Sequence, residues 1–208
     1  MQVRRDCFLE RNMKRLIPII MMLCFVMTAN AQTRLHPMTQ SQQKIWGERY
    51  FGRWLSQEAT QQMLQFPSFG YPSALYVFCY HGENGRLQAK WCVVNKDARP
   101  NESKLKLDSI DIWTDKTTAL KFCKLIEHAV NTSMFVGERL GFDGTRYFFG
   151  ECLHVATTWS PVGNCKRLTD VLEKAITAVR NQNEEELKGL LPEVDALTTV
   201  FEKLYPND

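Results

Sequence analysis

Residues 74–94 read ALYVFCYHGENGRLQAKWCVV, and the way this stretch folds decides the architecture. Its flanks, 74–80 and 86–94, are rich in aromatic and β-branched residues, which suit a pleated, half-buried surface. Between them His81-Gly82-Glu83-Asn84-Gly85 holds an Asn-Gly pair, a tight-turn signal because both residues tolerate positive φ. The stretch predicts a β-hairpin that turns at Asn84-Gly85.

Working outward, residues 105–113 predict a third strand. Its apolar positions switch from Leu105 and Leu107 to Ile110 and Ile112, which predicts a bulge near Asp108-Ser109. Thr114 or Asp115 then caps a helix whose apolar face is Ala119, Phe122, Cys123, Ile126 and Val130. Residues 134–151 predict a second hairpin around Asp143-Gly144, and 152–159 a further strand. After Pro161-Val162-Gly163-Asn164 comes a helix in which Leu168, Val171, Leu172, Ala175 and Val179 share a face. A last helix starts near Asn183, is interrupted or restarted at Pro192, and carries Glu184-Glu185-Glu186 where the helix dipole favours negative charge. Strand runs followed by helical runs predict an α+β fold: an antiparallel sheet of five to six strands, with one mid-chain helix and two C-terminal helices packed on it.

The start of the chain carries a different message. Lys14 and Arg15 precede the apolar run 16–27, which leads to Ala29-Asn30-Ala31. A basic start, a short apolar core and an A-x-A site predict a secretory signal peptide cut between Ala31 and Gln32, with Met13 the better initiator. The domain expectation is therefore a cleaved segment, 1–31, and one globular domain, 32–208. Cleavage would leave 21 of the 26 basic and 21 of the 23 acidic residues, a net charge of zero. That balance gives no basic field for nucleic acid or an anionic bilayer. No later apolar run reaches the ~18 residues that span a membrane, and Met21-Met22-Leu23 before Cys24 does not suit lipoprotein processing. The expected location is the periplasm or the exterior of the cell.

Between 32 and 66 two readings stand. Trp46, Tyr50 and Trp54 recur at helical spacing, but Gly47 and Gly52 each weaken a helix by ~1 kcal/mol relative to Ala. Alternatively 49–55 is a strand followed by a short helix, 57–66. In that form Phe51-Gly52-Arg53-Trp54 resembles the G-x-W opening strand of the lipocalin and fatty-acid-binding barrels over about ten residues. The helix-rich C-terminal third departs from those families, and no ligand site is carried over.

Five cysteines follow residue 31, at 79, 92, 123, 152 and 165, so at least one thiol stays unpaired. Cys123, on an apolar helix face, is the expected free thiol. Cys152 with Cys165 is the expected bridge, since the turn at 161–164 folds one back towards the other; five buried reduced thiols are the alternative. Cys152 and His154 share a strand face, the minimum for a nucleophile and its base, although no orienting Asn or Asp accompanies them. The histidines at 36, 81, 128 and 154 lack metal-ligand spacing, and there is no phosphate loop, dinucleotide fingerprint or nucleophile elbow. No metal and no cofactor are expected.

Two surfaces are candidates for ligand binding. In the second hairpin Arg139, Arg146 and Phe148 would share a face beside a bare Gly137-Gly150 pair, able to receive a carboxylate or sugar; the plainer alternative is a solvated sheet face. In Phe66-Pro67-Ser68-Phe69-Gly70-Tyr71-Pro72, the rings of Phe66, Phe69 and Tyr71 offer a stacking platform for a saccharide or partner protein, or else tuck into the core. The expectation is an exported non-catalytic protein that binds a small molecule, saccharide or protein. A hydrolase using Cys152 and His154, or an inhibitor of a secreted enzyme, is the alternative.

Overall fold

The computed structural model describes residues 33–38, 58–79, 84–96, 105–134, 144–151 and 154–204. The chain divides into two units, Met1–Ala31 and Gln32–Asp208, and every described residue belongs to the second. The expected signal peptide, and the Trp46 to Trp54 segment with its barrel-like motif, lie outside the described residues.

The elements run β1 (His36–Pro37), β2 (Gln61–Pro67), β3 (Ser73–Cys79), β4 (Asn84–Val94), β5 (Leu105–Asp115), α1 (Lys116–Asn131), β6 (Thr145–Gly150), β7 (Val155–Trp159), α2 (Gly163–Arg180), α3 (Glu184–Gly189) and α4 (Leu191–Leu204). The described strands form one antiparallel sheet in the order β1-β7-β6-β2-β3-β4-β5. The fold is thus the expected α+β sheet with mid-chain and C-terminal helices, and its seven strands exceed the five to six predicted.

Both faces of the sheet are apolar. Met63, Leu75, Val77, Leu87, Ala89, Ile112, Tyr147 and Phe149 meet the inner faces of the helices, to which α1 contributes Phe122 and Ile126 and α2 contributes Leu168 and Leu172. The opposite face holds a second buried cluster of Leu64, Phe66, Ala74, Tyr76, Phe78, Phe148 and Val155. Towards β4 this second face becomes charged, with Arg86 paired to Asp111 at 3.3 Å. The Arg86 guanidinium lies 4.0 Å from the Phe78 ring centre and the Lys90 ammonium 4.7 Å from that of Tyr76, each stem covering an aromatic with its charge over the ring face.

Caps fix the helix starts. Asp115 accepts from the Thr118 amide and from the Thr118 hydroxyl, both at 2.8 Å, so α1 begins where the sequence indicated. Asn183 accepts from the Glu186 amide at 3.0 Å and starts α3, with the three glutamates in its first turn. All the apolar residues read as the inner faces of α1 and α2 are buried.

Four local expectations are corrected. First, Cys79 pairs with Gly85, so Asn84-Gly85 belongs to β4 and the connection is longer than two residues. Gly85 serves packing: a Cβ there would stand 2.3 Å from that of Ala119, so its bareness lets α1 lie close on the sheet. Second, β4 and β5 pair one to one from Asn84↔Asp115 to Val94↔Leu105, with no bulge. Leu105 and Leu107 therefore point to the second face and Ile110 and Ile112 to the helices, which an apolar pattern on both faces permits. Third, β6 has β2 on one edge and β7 on the other, so Phe148 stands opposite Leu64 and Thr157 and Gly150 opposite Gln62 and Val155, while residues 137 and 139 of the expected hairpin lie outside the described residues. Gly150, at φ +126°, instead closes the β6–β7 turn, where a Cβ would meet the His154 carbonyl oxygen at 2.1 Å. Fourth, the short helix suggested for 57–66 is replaced by β2. Gln61 to Leu64 are all buried, as in a strand covered on both faces, and such a strand shows no readable period.

Candidate functional site

A cleft of about 770 Å³ opens where the ends of three helices meet the segment 33–35. Each wall is held by backbone geometry. α1 ends at Asn131, and its last carbonyls are satisfied by Thr132, whose amide donates to His128 and whose hydroxyl donates to Ala129 at 2.8 Å. The chain then turns so that the Met134 amide donates to the Leu35 carbonyl at 3.0 Å, which ties the segment 33–35 to the end of α1. On the other side the Cys165 thiol, in the first turn of α2, donates to the Thr33 carbonyl at 3.2 Å. The C-terminal end of α4 completes the rim with Phe201, Lys203 and Leu204.

The lining separates by chemistry. Leu35, Met134, Cys165, Phe201 and Leu204 supply an apolar wall, and Asn131, Ser133 and Asn164 supply neutral polar groups. Among the described residues the charged lining groups are Arg34 and Lys203, with no carboxylate beside them. Arg34 also donates to the Met134 thioether. No side chain caps α2, whose first turn contributes Asn164 and Cys165, so the positive end of an 18-residue helix adds to the two cations. The arrangement suits an anion with an apolar body. It does not suit nucleophilic chemistry: burial pushes the Cys165 thiol up to about 12, against the pull of Arg34, so it stays protonated.

A second polar cluster holds α2 on the sheet. Glu173 accepts from Gln65 at 2.7 Å and from the Tyr147 hydroxyl at 2.5 Å, and Ser73 donates to Gln65 at 2.7 Å. Burial, then the neighbouring Glu173, raise the Tyr147 hydroxyl above its usual range, which keeps it a donor. These bonds join β2, β3 and β6 to α2.

The residues singled out in the sequence are spread over three places. Phe66, Arg146 and Phe148 come together on the second face: Phe66 stands opposite Arg146, and its ring meets that of Phe148 edge to face at 5.4 Å. Both rings are buried, so they pack the core. Phe69 and Tyr71, 84% and 52% exposed, stand out from the connection between β2 and β3. Arg139 and Cys152 lie outside the described residues, and His154 is exposed beside the β6–β7 turn. Cys165, expected in a bridge, is a free thiol against Thr33 and lines the cleft. Cys123 is buried as expected but is not solitary, because its sulfur lies 3.2 Å from that of Cys79. The cleft itself escaped sequence reading. Its walls come from 33–35, 131–134, 164–165 and 201–204, four short pieces with no common motif.

Comparison with protein-family models, with curated proteins and with solved structures gives no match. Among the described residues no group of three or more His, Cys, Asp or Glu could hold a metal ion. No helix among them is long and apolar enough to cross a membrane.

Proposed function

We propose that this is an exported, non-catalytic protein that binds a small anionic molecule with an apolar body in the cleft between the ends of α1, α2 and α4. The observation that carries the reading is the lining among the described residues: Arg34 and Lys203 with no carboxylate, beside Leu35, Phe201 and Leu204. A cleft of about 770 Å³ is within the usual range for small-molecule sites, which are mostly apolar with a few polar groups that fix orientation. Export rests on the N-terminal signal, and the protonated Cys165 supports a cleft that binds rather than attacks its ligand.

The test is thermal unfolding of the purified protein with laurate, glucuronate and a neutral alkyl glucoside. Laurate should raise the melting temperature, by about 2.7 kcal/mol of stabilisation at a hundredfold excess over Kd. The neutral glucoside should not, and Arg34→Ala or Lys203→Ala should weaken binding about tenfold or more. A shift with glucuronate alone would reassign the ligand to an acidic saccharide; no shift with either acid would refute the reading.

A second reading draws on Phe69 and Tyr71. Two exposed rings on one connection suit a partner protein better than the core, and Phe69→Ala with Tyr71→Ala would abolish such binding while leaving the cleft intact.

A further inference from the structure

Cys79 ends β3 on the face that the helices cover, and Cys123 lies midway along α1 directly above it. Their sulfurs are 3.2 Å apart, about 1.2 Å beyond the ~2.05 Å of a disulfide bond. We propose that Cys79 and Cys123 form a redox pair that closes to a disulfide by exchange with a small-molecule disulfide such as oxidised glutathione.

The two thiols are unequal in a way that assigns their roles. Cys79 is half-buried at the strand end, while Cys123 is enclosed by the core. Either sulfur can donate in their hydrogen bond; that bond, the Thr60 hydroxyl and the Lys116 ammonium together pull the more exposed Cys79 towards its thiolate. Cys123 shifts the opposite way, through that same bond and its burial. Cys79 is therefore the nucleophile and Cys123 the resolving thiol. The Cys79 thiolate attacks one sulfur of the small disulfide, forming a mixed disulfide and releasing one thiolate. Cys123 then gives its proton to solvent, attacks the Cys79 sulfur and expels the second thiolate. Two cysteine thiols are oxidised to one S–S bond, and one small disulfide is reduced to two thiols.

Closure staples α1 to β3 across 44 residues of sequence. Its effect on stability should be a rise in melting temperature on the order of 10 °C. The experiment incubates the reduced protein with oxidised glutathione, blocks remaining thiols by alkylation and maps peptides without reductant. A peptide linking Cys79 to Cys123, together with the higher melting temperature, is the expected result. Cys123→Ala should trap one glutathionyl group on Cys79 with no such rise, and Cys79→Ala should leave Cys123 unmodified. If Cys123→Ala does not fold, the wild-type map decides alone. Cys79 left glutathionylated in the wild-type protein, Cys79 linked to any other cysteine, or both thiols unchanged would overturn the proposal.

Discussion

Replacing Gly85 by Ala tests how α1 seats on the sheet. The new methyl would stand 2.3 Å from the Ala119 Cβ, whereas the Asp115 and Phe78 carbonyl oxygens lie at ordinary distances of 3.4 and 3.6 Å. Carbon atoms pack best at about 3.5–4.0 Å, so α1 and β4 must part by on the order of 1 Å. Neither yields freely. Gly85 sits inside ladders with both Cys79 and Thr114, and α1 is anchored at its first turn by the Asp115 cap. Overpacking of this kind costs about 1–3 kcal/mol, offset by about 0.4–1 kcal/mol from a stiffer unfolded chain. The net expectation is a loss of about 1–2 kcal/mol, read in urea as a lower midpoint with unchanged slope. Ala119→Gly removes the opposing methyl and alone costs about 1 kcal/mol in helix propensity. The double variant should then be more stable than the sum of the single losses requires, by about 1 kcal/mol, since the two methyls compete for one space. A neutral Gly85→Ala, or strict additivity with Ala119→Gly, would refute the close packing. Gly189→Ala, where a Cβ has nothing within 4 Å, is the control and should not destabilise.

Asp115→Ala should cost about 1 kcal/mol at neutral pH through loss of the helix cap. Hydrogen bonds from the Thr118 amide and hydroxyl hold the Asp115 carboxyl below the usual range, so its contribution is complete above the unfolded value and fades as pH falls through the folded one. Chemical unfolding at neutral and strongly acid pH should therefore show the gap between variant and wild type closing in acid; a constant gap would argue against the cap. Phe122→Ala, at a fully buried ring facing the sheet, should destabilise by about 3–5 kcal/mol in the same assay. Cys165, pushed up to about 12 by burial, should alkylate far more slowly at pH 8 in the native protein than after unfolding, which a time course with peptide mapping would show.

Local signals were the legible part of this fold. The caps at Asp115 and Asn183 and the inner faces of α1 and α2 depend on residues within a few positions of each other, and they came through intact. What failed depended on partners distant in sequence. Asn84-Gly85 has the composition of a turn, but Gly85 answers to Ala119 on another element. The alternation in β5 misleads because Leu107, apolar but 39% exposed, points to the face away from the helices, so apolar character there does not mark the covered side. β6 pairs with β2 and β7, so Phe148 has Leu64 and Thr157 as its neighbours, while Arg139 lies outside the described residues. The cleft was illegible for the same reason: Arg34 and Lys203 meet only after the sheet and helices are in place.

The strand order also dictates an order of assembly. β2 to β5 and α1 are consecutive, and their pairings are local, so this part can form as soon as it is synthesised. β2 nevertheless sits inside the sheet, and its other edge pairs only with β6, from Pro67↔Thr145 to Gln62↔Gly150. Until those later residues arrive, a strand with four consecutive buried side chains stands with an open row of amides and carbonyls. Such an edge invites pairing with another chain. The half-built molecule is therefore the form at greatest risk of aggregation. Truncations ending between α1 and β6 should be insoluble, and a holdase that covers β2 should matter more to the yield of this protein than the stability of its finished fold.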